Sequence, residues 1–173
     1  MMAEAISLAS MPGSNMTVKE VIKKGLRLSI ARAATRTLSY LLKEQAADVE
    51  TISPSDIVNK EKLTEPSREV LVILLKHGWD INSQGPNRSN WPLLWFTTRY
   101  PNLLEWCLEQ GANVSLPNDT TLGDTTKSSQ PPLILDIAVT NATVASFERL
   151  RARDAPLSEQ LLHRASRLRP IEP

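Results

Sequence analysis

The chain reads as an all-α protein built from stacked helix pairs, and three observations predict this. Leu74-Leu75-Lys76-His77-Gly78-Trp79-Asp80-Ile81-Asn82 is echoed by Cys107-Leu108-Glu109-Gln110-Gly111-Ala112-Asn113-Val114-Ser115, with Gly78 and Gly111 33 residues apart. Each copy reads as the end of an amphipathic helix, a glycine stop and a short polar-apolar turn. Elsewhere the apolar residues recur at helical intervals and never form a run of the ~18–20 residues that a membrane span needs. A repeat of this period implies a solenoid, in which one helix pair buries its apolar face only by stacking on the next.

Before the first helix, residues 1–16 are small, polar and punctuated by Gly and Pro, and are expected to be disordered. Thr17 stands at capping-box spacing from Glu20, with Val18, Val21 and Ile22 following at helical intervals, and Gly25 is expected to break that helix. From Leu26 to Gln45, Leu28, Ile30, Ala31, Ala34, Leu38, Leu41 and Leu42 fall largely on one helical stripe. Ala46-Ala47-Asp48-Val49 then occupies the place of the later Gly-Trp-Asp-Ile and Gly-Ala-Asn-Val.

Thr51 to Asp56 reads as a turn into a short helical piece. Glu65-Pro66-Ser67 opens the next helix, with Ser67 or Thr64 as cap and Val70, Leu71, Ile73, Leu74 and Leu75 as its apolar residues. Gly85-Pro86-Asn87 marks an exposed turn, and Trp91-Pro92-Leu93-Leu94 starts another helix pair. Tyr100-Pro101 divides that pair, because proline disfavours helix in the residue before it and suits the first turn of a new helix. Asn102 to Gln110 follows, burying Leu103, Leu104, Cys107 and Leu108. A long Thr/Ser/Asp/Gly loop over 117–130 ends at Pro131-Pro132. Helices are expected again over Leu133 to Val139, Val144 to Arg153 and Ser158 to Arg167, before a tail over 168–173.

These residues resemble the ankyrin repeat family, whose unit opens with Thr-Pro-Leu-His-x-Ala and closes its second helix with Leu-Leu-x-x-Gly-Ala-Asp-Val. The closing half is matched at Leu74 to Ile81 and Leu108 to Val114. It is matched more weakly at Leu41 to Val49, and at Leu150 to Leu157, where Asp154 takes the glycine slot. The opening half departs further. Trp91-Pro92-Leu93-Leu94 loses the histidine, Ile134-Leu135-Asp136-Ile137-Ala138 has Asp136 in its place, and Leu162-His163-Arg164-Ala165 keeps it. The resemblance implies an ankyrin-like solenoid with long finger loops. About four degenerate units are expected over 17–167, at 17–49, 50–82, 83–115 and 131–158, plus a partial helix at 158–167. The degeneracy is similar to that of divergent ankyrin arrays common in fungal proteins. Since the family histidine ties down its turn, its loss predicts a marginally stable stack whose terminal units fray first.

Little in the sequence points to catalysis. Cys107 lies in an apolar stripe and reads as a buried structural thiol. His77 sits in a last helical turn and His163 in the family's turn-bonding slot, 86 residues apart, with no metal-ligand spacing around them. Asp119 and Asp124 lack the alternation and terminal glutamate of a calcium loop. Twenty basic and 19 acidic residues leave a formal charge of +1, with no overall electrostatic footprint for nucleic acid. Arg149, Arg151, Arg153, Arg164, Arg167 and Arg169 are diluted by Glu148, Asp154 and Glu159 and read as a solvated face. With Glu4 in place of a basic region ahead of an apolar one, no signal peptide is expected, and an intracellular location, cytoplasm or nucleus, follows as the default.

The expected function is therefore that of a protein–protein interaction module, a scaffold or adaptor without catalytic activity, cofactor, metal or membrane partner. The alternative is a structural or regulatory segment that self-associates through its incomplete last repeat. The resemblance places partner contacts at Gln84, Asn87 and Arg88 in a finger and at Thr98, Arg99, Thr140 and Asn141 near first-helix ends. Four tryptophans, Trp79, Trp91, Trp95 and Trp106, either fill space left by missing consensus residues or, at Trp79 or Trp91, stay partly exposed as interface anchors.

Overall fold

The computed structural model describes residues 16–45, 47–58, 64–85, 91–115, 133–141 and 143–158. These residues are all-helical and contain no strand. The loop at 117–130, the helix expected beyond Ser158, the tail and the N-terminal segment apart from Met16 lie outside them. Two compact units divide the chain, Met1–Asn90 and Trp91–Pro173.

In the first unit, α1 (Val18–Ala31) is followed by α2 (Thr35–Glu44), a 3-10 turn (Val49–Thr51), α3 (Pro54–Ile57) and α4 (Arg68–Lys76). The capping box forms as the sequence predicts. Thr17 donates its backbone N–H to Glu20 Oε2 at 2.7 Å, and Glu20 N–H donates to Thr17 Oγ1 at 3.3 Å. The Thr17 N–H, and then its hydroxyl, hold the Glu20 carboxyl below its ordinary range.

Gly25 does not break α1, which runs through it. The break falls at Arg32–Ala34, where Ala33 takes φ 49°. Its N–H donates to Ile30 O at 3.0 Å and the Ala34 N–H to Ser29 O at 2.8 Å, a Schellman turn closed without glycine. The single apolar stripe from Leu26 to Gln45 is thereby corrected. A turn in the middle resets the helical phase, so Leu26, Ile30, Leu38, Leu41 and Leu42 are buried while Leu28 and Ala31 face out. A Cβ built on Gly25 would sit 3.6 Å from Leu41 Cδ1, an ordinary contact. Gly25→Ala is therefore expected to stabilise the protein by about 0.5–1 kcal/mol, because alanine loses less backbone entropy in a helix. Urea unfolding checks this, and a lower midpoint for the variant would contradict it.

Ser67 caps α4 by accepting from Val70 N–H, leaving Thr64 outside the helix. Within this unit α1 packs on α2 and α3, and α2 packs on α4.

The second unit contains α5 (Leu93–Thr97), α6 (Pro101–Glu109), α7 (Ile134–Thr140) and α8 (Val144–Arg151). Pro101 occupies the first turn of α6, as the Tyr100-Pro101 break requires. Leu103, Leu104, Cys107 and Leu108 are all buried. Here α5 packs on α6 and α7 on α8, while α5 also meets α7 and α6 meets α8. In both units, then, the first helices of successive pairs touch each other, and so do the second helices.

The turns after α4, α6 and α8 repeat atom by atom. Gly78, Gly111 and Asp154 take φ 88°, 89° and 54°. Their N–H groups donate to Leu75, Leu108 and Arg151 carbonyls at 3.0, 3.1 and 3.1 Å. The next N–H groups, on Trp79, Ala112 and Ala155, donate to Leu74, Cys107 and Leu150 carbonyls at 3.0, 3.0 and 3.1 Å. All six residues of these last three pairs are buried, which supplies the apolar contact that accompanies a Schellman cap. Just beyond, Asp48, Asp80 and Asn113 each accept at Oδ1 from the N–H two residues on, at 2.9 Å in every case.

Candidate functional site

Polar side chains meet at the ends of α5 and α7. Asn141, the residue that ends α7, lies 42 and 43 positions from Arg99 and Thr98 yet bonds to both. Its Nδ2 donates to Thr98 Oγ1 at 2.8 Å, and its Oδ1 accepts from Arg99 Nε at 3.0 Å. The Thr98 hydroxyl in turn donates to the Trp95 carbonyl at 3.1 Å. Donors and acceptors therefore run in one direction, from guanidinium through amide and hydroxyl to backbone. Beside them the Thr140 hydroxyl turns back onto the Asp136 carbonyl at 2.8 Å, within α7.

Three of the residues that the sequence places near first-helix ends, Thr98, Arg99 and Asn141, are thus joined in one network. Their roles differ. Thr98 is fully buried, so it anchors Asn141 and offers a partner nothing, which corrects its expected place on the contact surface. Arg99 and Thr140 are exposed, and Asn141 is half-buried. Arg99 spends only Nε on Asn141, which fixes the plane of the guanidinium while its two terminal nitrogens have no partner among the described residues. That geometry suits a carboxylate or a backbone carbonyl.

The finger residues give a second, separate feature in the first unit. Gln84 is half-buried between Ser83 and Gly85, which with Glu50, Gly78, Trp79 and Asp80 line a cleft of about 310 Å³. Glu50 and Asp80 give its rim two carboxylates. Asn87 and Arg88 lie outside the described residues.

The tryptophans divide between the two readings open to the sequence. Trp79 is 3% exposed, and its indole N–H donates to the Ile52 carbonyl at 3.2 Å, a buried bond across 27 residues. Trp95 is equally inaccessible, and Trp106 is half-buried. Trp91 alone among the four is exposed, at 38%, with its ring centroid 6.1 Å from that of Phe96. Buried tryptophans find a partner for the indole N–H, and such a partner distant in sequence leaves no local signal.

Electrostatics in the second unit are structural. Glu105 on α6 takes Arg149 Nε at 3.4 Å and Arg153 Nη2 at 3.3 Å, so two arginines of the expected basic face are spent on one carboxylate. Asp136, in the slot of the family histidine, accepts from Ser158 Oγ at 2.8 Å. Among the described residues no group of three or more His, Cys, Asp or Glu converges as a metal set would. Nor is any helix there long and apolar enough to cross a membrane. No protein-family model, curated protein or solved structure matches the chain.

Proposed function

We propose that the chain is a divergent ankyrin-like stack that binds another protein and has no catalytic activity of its own. The threefold repetition of the cap turn, with like helices touching like within each unit, supports the architecture. Stacked helix pairs present extended surfaces built from equivalent positions, which is how such arrays recognise partners.

What carries the binding reading is Arg99. A long cation on a surface normally loses rotamer freedom when it docks, at roughly 0.5–1.5 kcal/mol per side chain. Arg99 has given up part of that freedom already, because Asn141 holds its Nε. Holding an exposed arginine in one plane adds little to stability, so its use lies in recognition of a planar acceptor on the partner. Thr140 and Asn141 border it, and Trp91 provides a separate aromatic anchor on the same unit.

The test is affinity for the protein that the chain captures from native extract, once that partner is purified. Arg99→Ala is expected to raise Kd by about thirtyfold, the equivalent of roughly 2 kcal/mol for an anchoring arginine. Asn141→Ala should reproduce part of that loss, because it frees the guanidinium without removing it. An Arg99→Ala protein that binds with unchanged affinity would remove the site.

A further inference from the structure

The near-neutral charge of the whole chain hides a strong segregation. Between Lys19 and Lys43 the sequence carries seven basic residues and one acid, Glu20. This span is α1, the Ala33 turn and α2, and most of its cations stand on the exposed half of α1. Lys19, Lys23, Lys24, Arg27 and Arg32 are all exposed, with Arg36 just beyond the turn. Among the described residues only Arg27 of these is paired, with Asp56 at 3.3 Å. Lys19, Lys23, Lys24, Arg32 and Arg36 have no anionic partner among the described residues. The lone carboxylate is turned back onto its cap, where Glu20 Oε2 takes both the N–H and the hydroxyl of Thr17. Flanking the lysines on the same helix stand two half-exposed aliphatic side chains, Val18 at 43% and Leu28 at 46% exposure.

We propose that this half of α1, with the turn after it, docks on an anionic bilayer surface. The cations face lipid phosphates and carboxylates, and Val18 and Leu28 enter the headgroup layer. The mixture decides between the anionic partners. A nucleic-acid backbone would neutralise the lysines but offers no apolar layer for Leu28 and Val18. An acidic peptide is recognised by clustered arginines, whereas the exposed cations of α1 are three lysines and the Asp56-paired Arg27. A bilayer interface accepts a helix lying flat, takes up its aliphatic residues and lets the lysine stems follow.

The expected strength is modest and salt-dependent. Each cation near a surface rich in anionic lipid strengthens binding by about fivefold, so the five unpaired ones together give on the order of a thousandfold. Attachment of that kind is reversible, and it weakens as the Debye length shortens from about 10 Å at 0.1 M salt to about 3 Å at 1 M.

Co-sedimentation of the full chain with vesicles tests this, comparing phosphatidylcholine alone with phosphatidylcholine containing about 30% phosphatidylserine at about 0.1 M salt. Binding is expected to the mixed vesicles only. The triple variant Lys19→Gln, Lys23→Gln, Lys24→Gln should lower the partition coefficient by about a hundredfold. Leu28→Ser should lower it several-fold at low salt as well as high. Circular dichroism serves as the folding control, since all four side chains point to solvent. The proposal is overturned if the parent ignores mixed vesicles or binds neutral ones equally, or if the triple variant partitions like the parent. It is also overturned if duplex nucleic acid at equal phosphate concentration strips the parent from vesicles while Leu28→Ser changes nothing, which would assign the face to nucleic acid.

Discussion

Trp79→Ala is expected to destabilise the first unit by about 3–5 kcal/mol, most of what a small domain has to lose. Two losses add. The ring leaves a cavity at a site that is 3% exposed, and the Ile52 carbonyl loses the indole N–H that satisfies it. That bond ties the turn after α4 to the segment leading into α3, so its loss loosens both ends of that helix pair. Trp79→Phe separates the terms. It keeps much of the ring volume and removes the donor, and should cost about 1–3 kcal/mol. Urea unfolding followed by far-ultraviolet circular dichroism reads both. A Trp79→Ala protein within about 1 kcal/mol of the parent would mean that the ring does not hold the turn.

The second large effect concerns the three cap positions taken together. Gly78 and Gly111 sit at φ 88° and 89°, and a Cβ at either would meet nothing within 4 Å. The whole cost of a side chain there is therefore backbone strain. Gly78→Ala and Gly111→Ala should each lose about 1–2 kcal/mol, and the double variant about the sum, because the sites belong to different compact units. Gly111→Asn should lose less than Gly111→Ala, since asparagine tolerates the left-handed region. Asp154 has the opposite sign. It holds φ 54° in the same slot, so Asp154→Gly should gain about 0.5 kcal/mol. Opposite signs at aligned positions test the register of the repeats. Equal losses at Asp154 and Gly111 would contradict it.

Much of this geometry was legible in the sequence because it is local. A glycine after a helical apolar run, Thr17 three residues before Glu20, and proline after Tyr100 each act within one turn, and each forms as expected. Ala33 was not legible. The same left-handed cap forms there on a residue that advertises nothing, and the missing punctuation let one stripe be drawn across two helices. Gly25 misleads the other way, because tertiary packing against Leu41 carries a helix through a residue of poor propensity.

The candidate site was legible in part. Helix-end positions pointed to Thr98, Arg99 and Asn141, since a polar residue there reads as surface. That Thr98 is buried beneath Asn141 depends on a contact 43 residues away, and a single sequence carries no trace of such pairing. The same holds for Trp79, whose partner Ile52 lies 27 residues away, while Trp91 keeps its exposed face.

The central claim, that the ends of the first helices in the second unit bind another protein, is tested most directly by site-specific photo-cross-linking. A photoreactive amino acid at the exposed Thr140 position of the full chain is irradiated in native extract, and the adducts are identified by mass spectrometry. One reproducible foreign protein is expected, lost when Arg99→Ala is added and retained when Arg36→Ala is added instead. Adducts confined to a second copy of the chain, or a foreign adduct indifferent to Arg99→Ala, would contradict it.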